Sequence, residues 1–244
     1  MNRELKRWTF LALTTFTIGS GAALIETGIS KSIDSFLPDG KGIASFRRPG
    51  TITILSTNGQ IIQKLGPATR EKIGQKEMPI LLRQAFISAE DRRFYVHKGV
   101  DLWGISRAIL SNLREGYIKE GGSTITQQLA RLVFLSQDQT LTRKLKEAAL
   151  AYKLERQLSK EEILEQYLNN VYLGSGAYGV ADAAWVYFSK KVGGLNLSES
   201  ALIAGLPPAP SLYSPLVNPD LAIKRRTVVL QRMYQAGFIS EKEV

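Results

Sequence analysis

The chain has 244 residues, 44% of them hydrophobic, no cysteine, and a formal net charge of +10 with a pI near 9.7. This composition excludes a disordered polymer, a disulfide-built scaffold and a thiolate metal site, and leaves room for one domain with a substantial core plus an appendage. The charge calls for an acidic partner, whether nucleic acid, anionic lipid or a phosphorylated substrate.

Arg3, Lys6 and Arg7 precede Trp8 to Ile25, 18 residues without a charge. That is about the shortest run that crosses a hydrocarbon core of roughly 30 Å as a helix. Flanking cations prefer the cytoplasmic side. We therefore expect a cytoplasmic tail over 1–7, a transmembrane anchor over 8–27, and the rest of the chain on the extracytoplasmic face. The small residues Ser20-Gly21-Ala22-Ala23 would also suit a cleaved signal peptide, although the apolar run is longer than such peptides use. Either way the body is exported, which disfavours nucleic acid, as does the lack of any recognisable reading motif.

Residues 28–80 read as a connector. Pro38-Asp39-Gly40 and Arg48-Pro49-Gly50 are turn signals, and the β-branched or apolar runs Thr51 to Ser56 and Gln60 to Leu65 around Asn58-Gly59 predict a β-hairpin. A helix follows, because Leu82, Ala85, Phe86 and Ala89 recur at i, i+3, i+4 and i+7. It runs into AEDRRFYVHKGVD, from Ala89 to Asp101, which holds the only histidine. Glu90 comes four residues after Phe86, at the edge of the apolar stripe. A carboxylate there loses hydration, which raises its pKa and makes it a usable proton acceptor near neutral pH. The blander alternative is surface pairing of Glu90 and Asp91 with Arg92 and Arg93.

Leu102, Ile105, Ile109, Leu110 and Leu113 keep helical spacing, with Trp103 and Tyr117 beside them. Two readings stand: an ordinary core helix, or a segment resting its apolar side in the bilayer surface. Next, GGSTITQQLAR (121–131) places glycines and hydroxyls ahead of a helix-forming run, a junction that suits phosphate oxygens or simply caps a helix. Arg131 lies four residues after Gln127, so both can face one ligand.

From Thr142 to Leu158, a projection at 100° per residue gathers Arg143, Glu147, Leu150, Leu154 and Leu158 on one side. Leu145, Ala148 and Tyr152 form a second packed side, and Lys146, Lys153 and Gln157 a polar strip. Glu147 thus points inward, either as a structural ion pair with Arg143 or as part of a site. Ser159-Lys160-Glu161-Glu162 is a capping box, with Gly174 expected near the end of its helix and a tight corner at Gly176 and Gly179. Pro207-Pro208-Ala209-Pro210 opens a loop. Asn218-Pro219 predicts the start of a last helix, which Gly237 would stop.

Five of these blocks, in order across about residues 51–240, resemble the peptidoglycan glycosyltransferases of family 51, found in class A penicillin-binding proteins and monofunctional glycan polymerases. They are AEDRRFYVHKGVD, GGSTITQQLAR, Arg143-Lys144-Leu145-Lys146-Glu147, Ile163 to Phe188, and Leu206 to Pro219 with Arg225-Arg226. One departure is visible: where the family usually has lysine then asparagine, this chain has Arg131 then Leu132, so the charge is kept and a polar group is lost.

The resemblance implies a mainly α, lysozyme-like helical domain over 81–244, with a small membrane-proximal lobe between the first two blocks. It implies inverting transfer of a polyprenyl-pyrophosphate-linked glycan to the 4-hydroxyl of lipid II at the bacterial inner membrane, on its periplasmic or extracytoplasmic side. By family position Glu90 is the general base, and Asp91, Phe94 and His97 shape its cleft. Glu147 is the second acid, near the pyrophosphate and a divalent cation, Mg²⁺ or Mn²⁺. Arg131, Arg143 and Lys144 would clamp phosphates, with Ser123, Thr124 and Gln128 adding hydrogen bonds. Arg225 and Arg226 receive no role. Expected partners are lipid II, the lipid-linked glycan, the membrane and a transpeptidase, in cis or in trans. Neither Ser-x-x-Lys nor Lys-Thr-Gly occurs, so the chain is expected to be monofunctional or the front end of a bifunctional protein, with residues 51–80 closer to the longer kind. A lytic glycan-cleaving enzyme and a non-catalytic glycan-binding scaffold are the alternatives.

Overall fold

The computed structural model describes residues 52–65, 72–115, 122–135 and 141–244. The expected tail, the 8–27 anchor and the connector as far as residue 51 lie outside them. Among the described residues no helix is long and apolar enough to cross a membrane. Strands β1 (Ile52–Leu55) and β2 (Ile61–Leu65) pair antiparallel, with Ile52 opposite Leu65 and an irregularity between Ile54 and Leu55.

Among the described residues the other regular elements are helices, as the 3.6-residue periodicities lead one to expect. The helices are α1 (Ile80–Glu90), α2 (Leu102–Glu115), α3 (Ile125–Phe134), α4 (Leu141–Gln157), α5 (Lys160–Asn170), α6 (Val180–Phe188), α7 (Leu197–Ala204) and α8 (Pro219–Gln235). Short 3-10 turns sit at Gln75–Glu77, Val192–Gly194 and Glu241–Glu243.

Local chemistry accounts for the helix starts. Ser159 accepts from the Glu162 N–H at 3.2 Å while the Glu162 carboxylate accepts from the Ser159 N–H at 2.8 Å, the reciprocal box that opens α5. Asn196 and Glu199 do the same for α7, an element the periodicity alone does not single out. Pro219 occupies the first turn of α8, where its missing N–H costs nothing. Asn218 offers no side-chain cap there and donates instead to the Leu212 carbonyl.

Packing arranges the helices in two groups. In one, α1 is flanked by α7 and α8; in the other, α3 lies against α4 and α5. The stripe Leu82, Ala85, Phe86 and Ala89 is buried, and so are Ile87 and Ser88, because α1 is covered on more than one side. Each such buried leucine or phenylalanine contributes roughly 1.5–3 kcal/mol. The groups meet where the Phe86 ring of α1 sets its edge against Tyr167 of α5, with centroids 6.1 Å apart.

Three expectations are corrected. Lys153 is buried and does not share a solvated strip with Lys146 and Gln157, because α4 is packed by both α3 and α5. Leu145, placed on a packed side by the projection, is 73% exposed, since it lies near the start of α4, ahead of the buried residues Glu147, Leu150, Ala151 and Leu154. Gly174 does not end α5, which stops at Asn170. It turns the chain three residues past the Val171 cap with φ +86, where an added Cβ would sit 2.4 Å from the Pro210 carbonyl oxygen.

Helix α2 is not an ordinary core helix, because Leu102, Trp103 and Leu113 are 73%, 68% and 75% exposed.

Candidate active site

The seam between the two helix groups opens into a cavity of about 500 Å³. Glu90, the last residue of α1, lines it, and its pKa is raised. Burial of the carboxylate is the main cause, opposed by a hydrogen bond from Gln128 and by the charges of Arg225 and Arg232, and helped by Asp91. The dehydration expected from the apolar stripe is therefore present. Gln128 Nε2 donates to Glu90 Oε2 at 2.8 Å, and the buried Tyr167 hydroxyl donates to Gln128 Oε1 at 2.9 Å.

The surface-pairing alternative for the acidic pair does not describe Asp91. Asp91 is buried and accepts from His97 Nε2 at 2.9 Å and from the Ile125 N–H at 3.0 Å, which ties the end of α1 to the start of α3. His97 Nδ1 accepts from the Gly99 N–H at 3.2 Å, so the ring carries its proton on Nε2, toward Asp91. Arg93 lies 3.8 Å from Asp101. Gly99 takes φ +90, and an added Cβ would lie 2.7 Å from the Ala151 carbonyl, so only glycine lets this loop rest on α4. Phe94 is fully buried, with Lys160 Nζ 4.6 Å from its ring centroid. Phe94 and His97 back the site and do not line the cavity.

The glycine-serine-threonine junction divides its labour. Thr124 is the N-cap of α3: its Oγ1 accepts from the Gln127 N–H and donates to the Gly99 carbonyl at 2.6 Å. The Gln127 side chain turns back to accept from the Thr124 N–H at 3.0 Å. The expectation that Gln127 and Arg131 face one ligand is corrected on that ground, and it is Gln128 that lines the cavity with Arg131. Ser123 also lines it, and its Oγ accepts from Lys144 Nζ at 2.7 Å.

Glu147 is 1% exposed and stands behind the cavity wall. Lys144 Nζ is 2.8 Å from its Oε2, and Arg143 Nη1 is 2.9 Å from its Oε1, close as an ion pair although not aligned as a hydrogen bond. One carboxylate already shared by two cations is a poor ligand for a hard divalent ion, which seeks several oxygens. Among the described residues no three His, Asp or Glu side chains converge as a metal-binding set. The Glu147 cluster does not fit a resident Mg²⁺ or Mn²⁺.

Several cavity groups escaped the sequence reading. Arg225 and Arg232, seven residues apart on one side of α8, both line the cavity, as do Tyr213, Pro207 and Arg107. Arg225 Nε donates to the Gly205 carbonyl at 3.2 Å, and its guanidinium sits 5.7 Å from the Tyr213 ring centroid. Their heptad spacing was the available signal. In all, Arg92, Arg107, Arg131, Arg225 and Arg232 face three carboxylates, Glu90, Asp91 and Asp101. Such a chamber attracts an anion and keeps one dehydrated acid beside it.

A family model described as Transglycosylase matches residues 58–234. Penicillin-binding protein 1A of Neisseria flavescens is 46% identical over 204 residues, covering 84% of this chain and 26% of that protein. Penicillin-binding protein 1A of Escherichia coli (strain K12) is 44% identical over 239 residues, covering 98% of this chain and 28% of that protein. The crystal structure of Penicillin-Binding Protein 1A from Haemophilus influenzae is 26% identical, covers 81% of this chain and 20% of its own, and aligns with a TM-score of 0.47. The chain thus spans under a third of the length of these curated relatives.

Proposed function

Because the chain belongs to the transglycosylase family, we propose that it is a peptidoglycan glycosyltransferase that polymerises lipid II into glycan strands. The observation that carries this reading is the position of Glu90: a carboxylate with a raised pKa, hydrogen-bonded by Gln128, in a cavity ringed by guanidinium groups. Glycan transfer from a lipid diphosphate needs both features at one place.

In this reading the 4-hydroxyl oxygen of lipid II attacks the anomeric carbon of the lipid-linked glycan. The new C–O bond forms on the face opposite the breaking bond to phosphate, so the anomeric centre inverts. The hydroxyl proton passes to Glu90, and the bonding electron pair leaves with the polyprenyl diphosphate. Arg131 from α3 and Arg225 from α8, both lining the cavity, stabilise the charge that accumulates on the diphosphate. Ser123 offers a hydroxyl held by Lys144, and the Asp91–His97 pair holds the end of α1 in register with α3. Glu147 acts through Arg143 and Lys144, and no step is assigned to a divalent cation.

We place the domain, lysozyme-like in its helical part, on the extracytoplasmic face of the inner membrane, held by the 8–27 anchor. The exposed Leu102, Trp103 and Leu113 of α2 would rest in the interface as the small lobe. A transpeptidase, on a longer chain or as a separate protein, would cross-link the product. The lytic alternative is weaker, because a hydrolase has little use for five guanidinium groups around its acid.

The test is to incubate the purified chain with lipid II and to separate the products by size. Uncrosslinked glycan polymer that disappears in Glu90→Gln supports the reading. Shortened glycan from preformed strands, or binding without turnover, would replace it with the lytic or scaffold alternative.

A further inference from the structure

Resting on the assignment of Glu90 as proton acceptor, we propose that Tyr167 is a positioning residue for it: the Tyr167 hydroxyl fixes the Gln128 amide, and the amide fixes the Glu90 carboxylate. The three side chains come from three helices, α5, α3 and α1, and form one chain across the seam, with links of 2.9 Å and 2.8 Å. An ionised carboxylate only accepts hydrogen bonds, so the amide nitrogen must face Glu90 and the amide oxygen must face Tyr167. Turning the amide over would bring its oxygen against the carboxylate, which is tolerable only once Glu90 holds a proton. The same turn would strip the Tyr167 hydroxyl proton of its acceptor, and among the described residues Gln128 is the hydrogen-bond partner of that hydroxyl.

Tyr167 is fully buried, and its pKa is raised well above the usual phenol value by that burial and by the Glu90 charge, so it remains a donor throughout the working range. The chain engages Glu90 Oε2, and Oε1 is left to take the proton. Gln128, read from the sequence as a phosphate contact, is on this account an orienting group for the acid.

The other charged groups around Glu90 are Asp91, Arg92 and Asp101 from the end of α1 and the loop after it, Arg107 from α2, Arg131 from α3, and Arg225 and Arg232 from α8. All of them stay in place when one hydroxyl oxygen is removed. Tyr167→Phe also keeps the ring that meets Phe86. Without the hydroxyl the amide is free to turn, which favours protonated Glu90.

The experiment compares Tyr167→Phe, Gln128→Leu, the double variant and Glu90→Gln in lipid II polymerisation across pH, with thermal melts as the check on folding. In Tyr167→Phe, kcat at neutral pH should fall about tenfold, a fraction of the usual worth of a positioned base. KM should stay within about twofold, and the acid limb should move up by roughly one pH unit. The double variant should be no worse than Gln128→Leu alone, because the two residues act in series. Independently of turnover, the carboxylic-acid infrared band that Glu90→Gln abolishes should persist to higher pH in Tyr167→Phe. An unmoved acid limb and band, with Glu90→Gln inactive, refutes the role of Tyr167 alone, as does a loss of kcat that merely tracks a lower melting temperature. Normal turnover in Glu90→Gln instead overturns the base assignment beneath it.

Discussion

Arg232 donates through Nη1 to the carbonyl oxygen of Ala89 at 2.6 Å, so the last helix grips the helix that ends in Glu90 across a separation of 143 residues. The same guanidinium lies close enough to Glu90 to hold its pKa down against burial. Arg232→Met removes both effects. It should cost about 1–3 kcal/mol of stability, the worth of a charged hydrogen bond, and shift the acid limb of polymerisation upward. Arg232→Lys should restore the pH profile better than the melting temperature, because an ammonium keeps the charge and loses the planar fork. Thermal melts and pH–rate profiles read the two separately.

Glu90 should weaken the fold it serves. Its folded-state pKa is raised above the unfolded value near 4.5, so between those two values the folded protein binds more protons than the unfolded one. Stability therefore falls as pH rises through that window and stays lower above it. Glu90→Gln should melt at a higher temperature than the parent at neutral pH, and the gap should close as the pH drops below the ordinary carboxylate range. Calorimetry across pH checks the sign; a lower melting temperature for the variant at neutral pH would contradict the buried-acid account. The parent's turnover should fall as pH drops through the raised value, while Glu90→Gln stays inactive throughout.

Behind the wall, Glu147 and Lys144 should differ in cost. Glu147→Gln leaves Arg143 and Lys144 without their anion at a site 1% exposed, which should cost about 2–4 kcal/mol, somewhat less than a fully buried pair because both cations are partly wet. Lys144 is 43% exposed, so Lys144→Met should cost under about 1 kcal/mol, while freeing the Ser123 hydroxyl from the donor that holds it. Denaturant titrations should separate the two variants clearly, and equal costs would contradict the asymmetry.

Gly99→Ala tests the loop that carries His97. An added methyl would meet the Ala151 carbonyl at 2.7 Å in a backbone that already has φ +90. Overpacking and left-handed strain together should cost about 2–5 kcal/mol. A melting temperature unchanged from the parent would mean that the loop can lift off α4.

What could be read in advance was whatever depends on neighbours in the chain. Four-residue spacing placed Glu90 at the edge of a buried stripe, and the capping pair Ser159 and Glu162 and the Pro219 start are local chemistry. The other half of the chamber was not legible. Arg225 and Arg232 face Glu90 only because α8 folds back against α1, and their seven-residue spacing puts them on one side of a helix without saying what that side meets. The projection of α4 misplaced Lys153 and Leu145 because a helix packed on several sides has no single apolar stripe. Gln127 and Gln128 are adjacent and alike, yet the N-cap claims the first and the acid the second. Spacing assigns a direction to each, but only the folded seam shows which glutamine Tyr167 can reach.

The five arginines around three carboxylates set a rule for inhibitor chemistry. A neutral sugar mimic would have to desolvate guanidinium groups without giving them a counter-ion, and its greasy contacts offer little in return. A scaffold bearing one or two permanently negative substituents, spaced to span Arg131 and Arg225, would exploit the field already built into the walls. Its potency should decline in concentrated electrolyte, whereas a compound that binds through hydrocarbon alone should hold or gain.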